Sequence, residues 1–134
     1  MIGVLLVTHG EIGAAMLSSA NQILGGAAKQ VGTLSVWRQD DPDDLVLRAR
    51  ELLEELDAGD GVLVLTDIFG ATPGNVVSRL LADGDVEGVS GVSLPMLLRV
   101  LTGRNGSLAG AVQRALSGGA EGVVHMNSDR CLDA

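Results

Sequence analysis

Apolar and polar positions alternate in blocks along the chain, and the period changes from block to block. Residues 2–7 are a nearly unbroken apolar run, the pattern of a strand buried on both faces. From Glu11 the spacing turns helical, with Ile12, Met16, Ala20 and Ile23 on one stripe and Gly25-Gly26 closing it. Residues 31–36 read as a second strand. Asp41-Pro42 then opens a helix, Asp capping, Pro in the first position and Asp44 in the first turn. Its expected core face is Leu45, Ala49, Leu52, Leu53 and Leu56. Residues 61–66 predict a third strand, and Thr72-Pro73 a helix start with Val76, Val77, Leu80 and Leu81 inward. Residues 86–92 predict a fourth strand. Pro95 opens a short helix through Leu97, Leu98 and Leu101, and residues 108–116 form the last one, ended by Gly118-Gly119. Residues 122–126 read as a weaker fifth strand.

Strand–helix alternation of this kind implies an α/β fold. The expectation is an open, doubly wound, mostly parallel sheet in the order 2-1-3-4 with helices on both faces. Residues 122–126 are the candidate for an antiparallel, exchanged C-terminal strand. The pattern gives one domain, residues 1–126, followed by a polar tail at 127–134.

Composition narrows the function classes. A net charge of −8 with no run of Lys or Arg makes nucleic acid and anionic membrane poor partners. Trp37 and Phe69 are the only aromatics, too few for a base-stacking platform. No apolar stretch is long enough to span a bilayer, and residues 1–7 do not resemble a signal peptide, so a soluble, cytoplasmic protein is expected. A single cysteine, Cys131, and two histidines support neither a disulfide nor a metal cluster. The only lysine, Lys29, lies in no phosphate-binding loop, and no dinucleotide fingerprint follows the first strand. No cofactor and no metal are expected.

In open parallel sheets, ligands gather beyond the carboxyl ends of the strands, where the strand order reverses. Two segments fall there: Thr8-His9-Gly10-Glu11 after the first strand, and residues 67–75 after the third. A lone histidine at such a place is most simply a cap or a solvent-facing residue, and a lone aspartate a turn residue. If the two strands are neighbours, however, the Asp67 carboxylate reaches one ring nitrogen of His9. It then fixes the tautomer and leaves the other nitrogen free to attack. Gly70, Ala71 and Thr72 lead into a helix N-terminus, which favours an anion, with Thr72 as the expected cap. The bland alternative is an ordinary helix start. Thr8-His9-Gly10-Glu11 is near the Arg-His-Gly-Glu motif of histidine phosphatases, but Thr replaces Arg and a second histidine is missing. His125 lies in the late apolar run and reads as structural.

Three segments together carry a resemblance: residues 3–10 (Gly-Val-Leu-Leu-Val-Thr-His-Gly), 65–75 (Leu-Thr-Asp-Ile-Phe-Gly-Ala-Thr-Pro-Gly-Asn) and 91–97 (Gly-Val-Ser-Leu-Pro-Met-Leu). In order and spacing the chain resembles the IIA components of the mannose/fructose/sorbose family of the bacterial phosphoenolpyruvate-dependent sugar phosphotransferase system. The resemblance spans residues 1–126. It implies a phosphotransferase that carries phosphohistidine on His9, with Asp67 as its hydrogen-bonded partner. It also implies a phosphate pocket of Phe69, Gly70, Ala71 and Thr72, with Thr8, Gly10, Pro95 and Met96 lining the site. The implied donor is the histidine phosphocarrier HPr and the acceptor a IIB component, which serves a membrane IIC/IID complex during carbohydrate uptake. Family members are typically dimers that exchange a C-terminal strand, and a homodimer is expected here. The end of the chain at Ala134 gives the expectation of a IIA unit without a IIB domain. Ala71, Thr72 and Gly74 depart from the residues usual in the family. Two other readings stand beside this one: a regulatory phosphoacceptor or phosphoryl donor for dihydroxyacetone kinase, and a module that binds a small anion without turnover.

Overall fold

A computed structural model describes residues 1–127. Four strands and five helices alternate: β1 (Gly3–His9), α1 (Ile12–Leu24), β2 (Val31–Val36), α2 (Pro42–Leu56), β3 (Val62–Thr66), α3 (Thr72–Leu80), β4 (Val86–Ser90), α4 (Leu94–Leu101) and α5 (Leu108–Glu121). The sheet order is β2-β1-β3-β4 and every pairing is parallel, as the alternation predicts. The chain leaves β1 for β2 on one side and returns to β3 on the other. The order therefore reverses between β1 and β3, and a crevice opens beyond their carboxyl ends.

Side chains of β1 and β3 alternate between two cores, because successive residues of a strand face opposite sides of the sheet. Leu5, Val7, Val62 and Val64 pack under α2 and α3 with Leu45, Val46, Ala49, Leu53, Val76, Val77 and Leu80. Val4, Leu6, Leu63 and Leu65 pack under α1, α4 and α5 with Ala20, Met96, Leu97, Val100, Ala111 and Ala115. Burial of each such Leu or Val contributes about 1.5–3 kcal/mol. The two central strands are thus clamped from both faces, which fixes the ends that carry the site.

α2 begins as its sequence predicts, with Asp41 Oδ1 accepting the Asp43 N–H at 2.9 Å and Pro42 in the first turn. Four expectations are corrected. The buried face of α1 is Gly13, Met16, Leu17 and Ala20, whereas Ile12 and Ile23 are exposed. Leu81 is likewise exposed, just past the end of α3. α5 runs through Gly118 and Gly119 to Glu121 instead of stopping before them. Residues 122–126 lie outside the four-stranded sheet, with Val123, Val124 and Met126 exposed. A five-residue run has little ladder energy of its own, and no strand edge among the described residues takes it up. His125 accordingly lies in an exposed, irregular stretch instead of an apolar strand. Almost all of the expected polar tail lies outside the described residues.

The N-terminal edge is fastened by Arg104. Its guanidinium donates to the Lys29 carbonyl at 2.7 Å and the Ile2 carbonyl at 3.3 Å, and burial lowers its hold on its proton. No helix among the described residues is long and apolar enough to cross a membrane.

Candidate functional site

His9 is the last residue of β1, so the strand runs two residues past the end of the apolar run at Val7. Gly10 follows with φ +49°, a conformation that L side chains resist, and turns the chain into α1. The Gly10 N–H donates to the Val36 carbonyl at 2.9 Å, continuing the β1–β2 pairing in which His9 stands opposite Val36. Thr8 points the other way. It is buried, and its Oγ1 accepts the Gly13 N–H at 2.8 Å, satisfying an unpaired donor at the start of α1. Gly13 has to be small, because a Cβ there meets Thr8 Oγ1 at 2.9 Å. Thr8 therefore supports the turn from behind and does not face the crevice.

Asp67 stands directly after β3, and β3 is the neighbour of β1. Its Oδ2 accepts the backbone N–H of His9 at 3.0 Å and lies 2.9 Å from His9 Nδ1. Its Oδ1 accepts the Ile68 N–H at 3.0 Å. One carboxylate oxygen thus holds both the main chain and the ring of the same histidine. A carboxylate facing Nδ1 requires a proton there, which leaves Nε2 with its lone pair. Nε2 has no partner among the described residues, and the ring is 47% exposed while the Asp67 side chain is only 13% exposed. Partial burial pushes the Asp67 carboxyl up. The side-chain hydrogen bond and charge of His9 and the backbone N–H donors outweigh it and hold the group below the usual carboxylate range.

Beyond Asp67 the chain turns through Phe69 and Gly70, both exposed, Gly70 at φ +87°. The residue at the N-cap position of α3 is Ala71, not Thr72, and no side chain caps the helix. Thr72 is the first helical residue. Pro73 follows in the first turn, where its missing N–H is one of the donors that a helix start leaves unpaired anyway. An uncapped N-terminus leaves N–H groups unpaired and the positive end of the helix dipole open. Gly74 allows the Ile68 carbonyl to approach, since a Cβ there meets that oxygen at 3.1 Å. Beside it, Phe69, Val77, Leu81 and Gly88 line a small apolar pocket of about 90 Å³.

His9 and Thr72 share a cleft of about 470 Å³ whose other wall is Val36, Trp37, Arg38, Asp40 and Pro42. These five come from the end of β2 and the start of α2, and sequence reasoning missed them. The signal was the strand order, which sets the end of β2 beside the end of β1. The Trp37 ring packs over Gly10, where a Cβ meets it at 3.3 Å. Pro95 and Met96 do not line this cleft. Met96 is buried between the sheet and α5, and Pro95 packs on Gly122. Among the described residues no three His, Cys, Asp or Glu side chains are grouped to hold a metal.

The fold is an open α/β sheet with a histidine–aspartate pair at the switch point and an uncapped helix N-terminus beside it, an arrangement chemically able to present an imidazole nitrogen to an anion. Comparison with known proteins is more specific. Residues 3–116 match the family described as PTS system fructose IIA component, EIIA-man, and the chain belongs to that family. It is 32% identical over 125 residues to the PTS system mannose-specific EIIAB component of Escherichia coli, covering 91% of this chain and 38% of that protein. The chain thus spans well under half the length of that relative. It is 30% identical over 103 residues to the fructose-specific EIIA component of Bacillus subtilis, covering 76% of this chain and 70% of the other. Among solved structures, the phosphotransferase system component EIIA of Streptococcus agalactiae superposes with a TM-score of 0.85 at 26% identity, over 96% of this chain and 99% of the other.

Proposed function

We propose that this IIA component carries a phosphoryl group on His9 Nε2, taking it from a phosphorylated HPr-type carrier and passing it to a IIB component during carbohydrate uptake. The observation that carries the reading is the double hold of Asp67 Oδ2 on the His9 backbone and Nδ1, which leaves Nε2 as the unpartnered nitrogen in the cleft. In the transfer, the Nε2 lone pair attacks phosphorus in line. The new N–P bond forms as the donor's N–P bond breaks, and the bonding pair returns to the donor imidazole. His9 keeps its Nδ1 proton throughout, and Asp67 stabilises the positive character the ring acquires. The open N-terminus of α3, with the Thr72 hydroxyl on the same cleft, takes up charge on the phosphoryl oxygens. No nucleotide enters this chemistry, and the membrane IIC/IID complex is served only through IIB. Such a carrier works in the cytoplasm, where phosphorylated HPr is made.

Incubation with phosphoenolpyruvate, enzyme I and HPr is expected to add one acid-labile, base-stable phosphate, and His9→Ala to abolish it. A label that persists in that variant, or sits on His125, refutes the assignment. Phosphate retained without a covalent bond favours the anion-binding module instead.

A further inference from the structure

The phosphoryl group that His9 is read to carry brings about two negative charges into a poor electrostatic setting. The chain is acidic overall, Asp67 stands behind the histidine, and Asp40 lines the same cleft. The helix N-terminus offers limited relief, because Pro73 in its first turn has no N–H to give. A dianion held there needs a cation, and an arginine, Arg38, lines the cleft.

Trp37 to Asp40 form a tight turn closed twice. The Asp40 N–H donates to the Trp37 carbonyl at 3.0 Å, and the Trp37 N–H donates to Asp40 Oδ2 at 2.8 Å. Arg38 and Gln39 occupy its apex. The turn is tied to the histidine by the Gly10–Val36 hydrogen bond and by Trp37 packed over Gly10. Arg38 lies two residues beyond Val36, the cross-strand partner of His9, and lines the cleft. Neighbouring strands are about 4.8 Å apart, so a side chain as long as arginine spans the gap. Most other arginines among the described residues are engaged. Arg50 pairs with Asp83, Arg79 with Asp43 and Arg99 with Glu121, while Arg104 and Arg114 donate to backbone carbonyls. Arg38 has no hydrogen-bond or ion-pair partner there, and the nearby acids are occupied: Asp40 by Trp37, Asp41 by its own helix start, Asp43 by Arg79.

We infer that Arg38 is a phosphoryl-contacting residue of this site, its guanidinium donating to the oxygens of the group on His9 Nε2. The inference rests on the carrier reading above and names the cation that reading lacks. The fork geometry of guanidinium suits two phosphoryl oxygens at once. Arg38 exchanges no proton; it neutralises charge while the N–P bond forms on His9 and breaks on the donor.

The test uses the full chain with Arg38→Gln and Arg38→Lys, and two donors, phospho-HPr and the small molecule phosphoramidate. Because Arg38 is exposed and unpaired, neither variant disturbs the core. Arg38→Gln is expected to slow labelling of His9 about tenfold with both donors, the size of one lost charge-assisted hydrogen bond, and Arg38→Lys to retain most of the rate. A phosphorus NMR titration of the phosphorylated protein is expected to show the phosphoryl midpoint shifted upward in Arg38→Gln, since the cation that favours the dianion is gone. Wild-type rates with phosphoramidate and an unmoved midpoint overturn the inference. Slowing with phospho-HPr alone also overturns it, in favour of a contact to the donor protein. If the wild-type chain itself takes no phosphate on His9, the carrier reading falls, and this outcome is distinct from the other two.

Discussion

At the residue scale, the site depends on one carboxylate oxygen that two donors of a single histidine share. Asp67→Asn keeps the size of the side chain but loses its charge, and an amide NH₂ turned toward Nδ1 selects the tautomer with the wrong nitrogen free. We expect an intact fold by circular dichroism and phosphoryl transfer slower by on the order of a hundredfold. A rate within a few-fold of wild type reduces Asp67 to a turn residue. The same group gives a pH signature. Its carboxyl is held below the usual range in the folded chain, so the unfolded chain binds the proton first as pH falls. The stability it contributes is complete above the unfolded value of about 3.9 and drains away as pH drops through the folded one. In urea titrations the wild type is expected to exceed Asp67→Asn by about 1–2 kcal/mol at pH 7, with the gap narrowing below pH 4. A gap that does not change with pH contradicts the pairing.

At the element scale, small residues decide where helices lie. The buried face of α1 carries Gly13 and Ala20, because the helix sits close on Leu6 and Thr8 of β1. The larger Ile12 and Ile23, which a hydrophobicity pattern favours, end up outside. α5 shows the same rule. A Cβ on Gly118 lies 3.0 Å from Arg99 Cβ and 3.2 Å from Met96 Cα, and one on Gly122 lies 2.5 Å from Pro95 Cβ. Gly118 is no helix stop; it lets α5 dock tightly on α4, and Gly122, which caps the end of α5, lets Pro95 come close. Gly118→Val is expected to lower stability by about 1–3 kcal/mol, even though glycine is itself a poor helix former, because the added branches force the helices apart. Chemical denaturation reads this directly, and an unchanged or higher midpoint refutes the close-packing account.

At the scale of the whole molecule, the stretch after α5 is the unfinished part. It leaves the helix with Val123, Val124 and Met126 exposed, and no strand among the described residues takes them up. A second copy related by a two-fold axis can bury them by adding the segment to its own sheet, and we propose a homodimer built this way. Light scattering at micromolar concentration is expected to give a dimer for the full chain and a monomer for a chain ending at Glu121. A monomeric full chain, or a dimer that survives the truncation, excludes the exchange.

The central strands, the start of α2 and the pair His9 and Asp67 were legible along the chain. Each rests on local chemistry: a continuous apolar run, an Asp-Pro cap, a polar residue directly after a buried strand. Thr8 read as a lining residue because adjacency in sequence says nothing about which face of a strand end a side chain takes. Packing behind α1 decided it. The cap of α3 escaped for a related reason, whereas the wall of Trp37, Arg38 and Asp40 was implied only indirectly, by a strand order that sets the end of β2 beside the end of β1. Sequence alone determined which segments become strands and which residues stand at their ends, since burial period and capping act over a few residues. Only the tertiary structure decided which side chains at those ends face the cleft, because that depends on how the helices close over the two faces of the sheet.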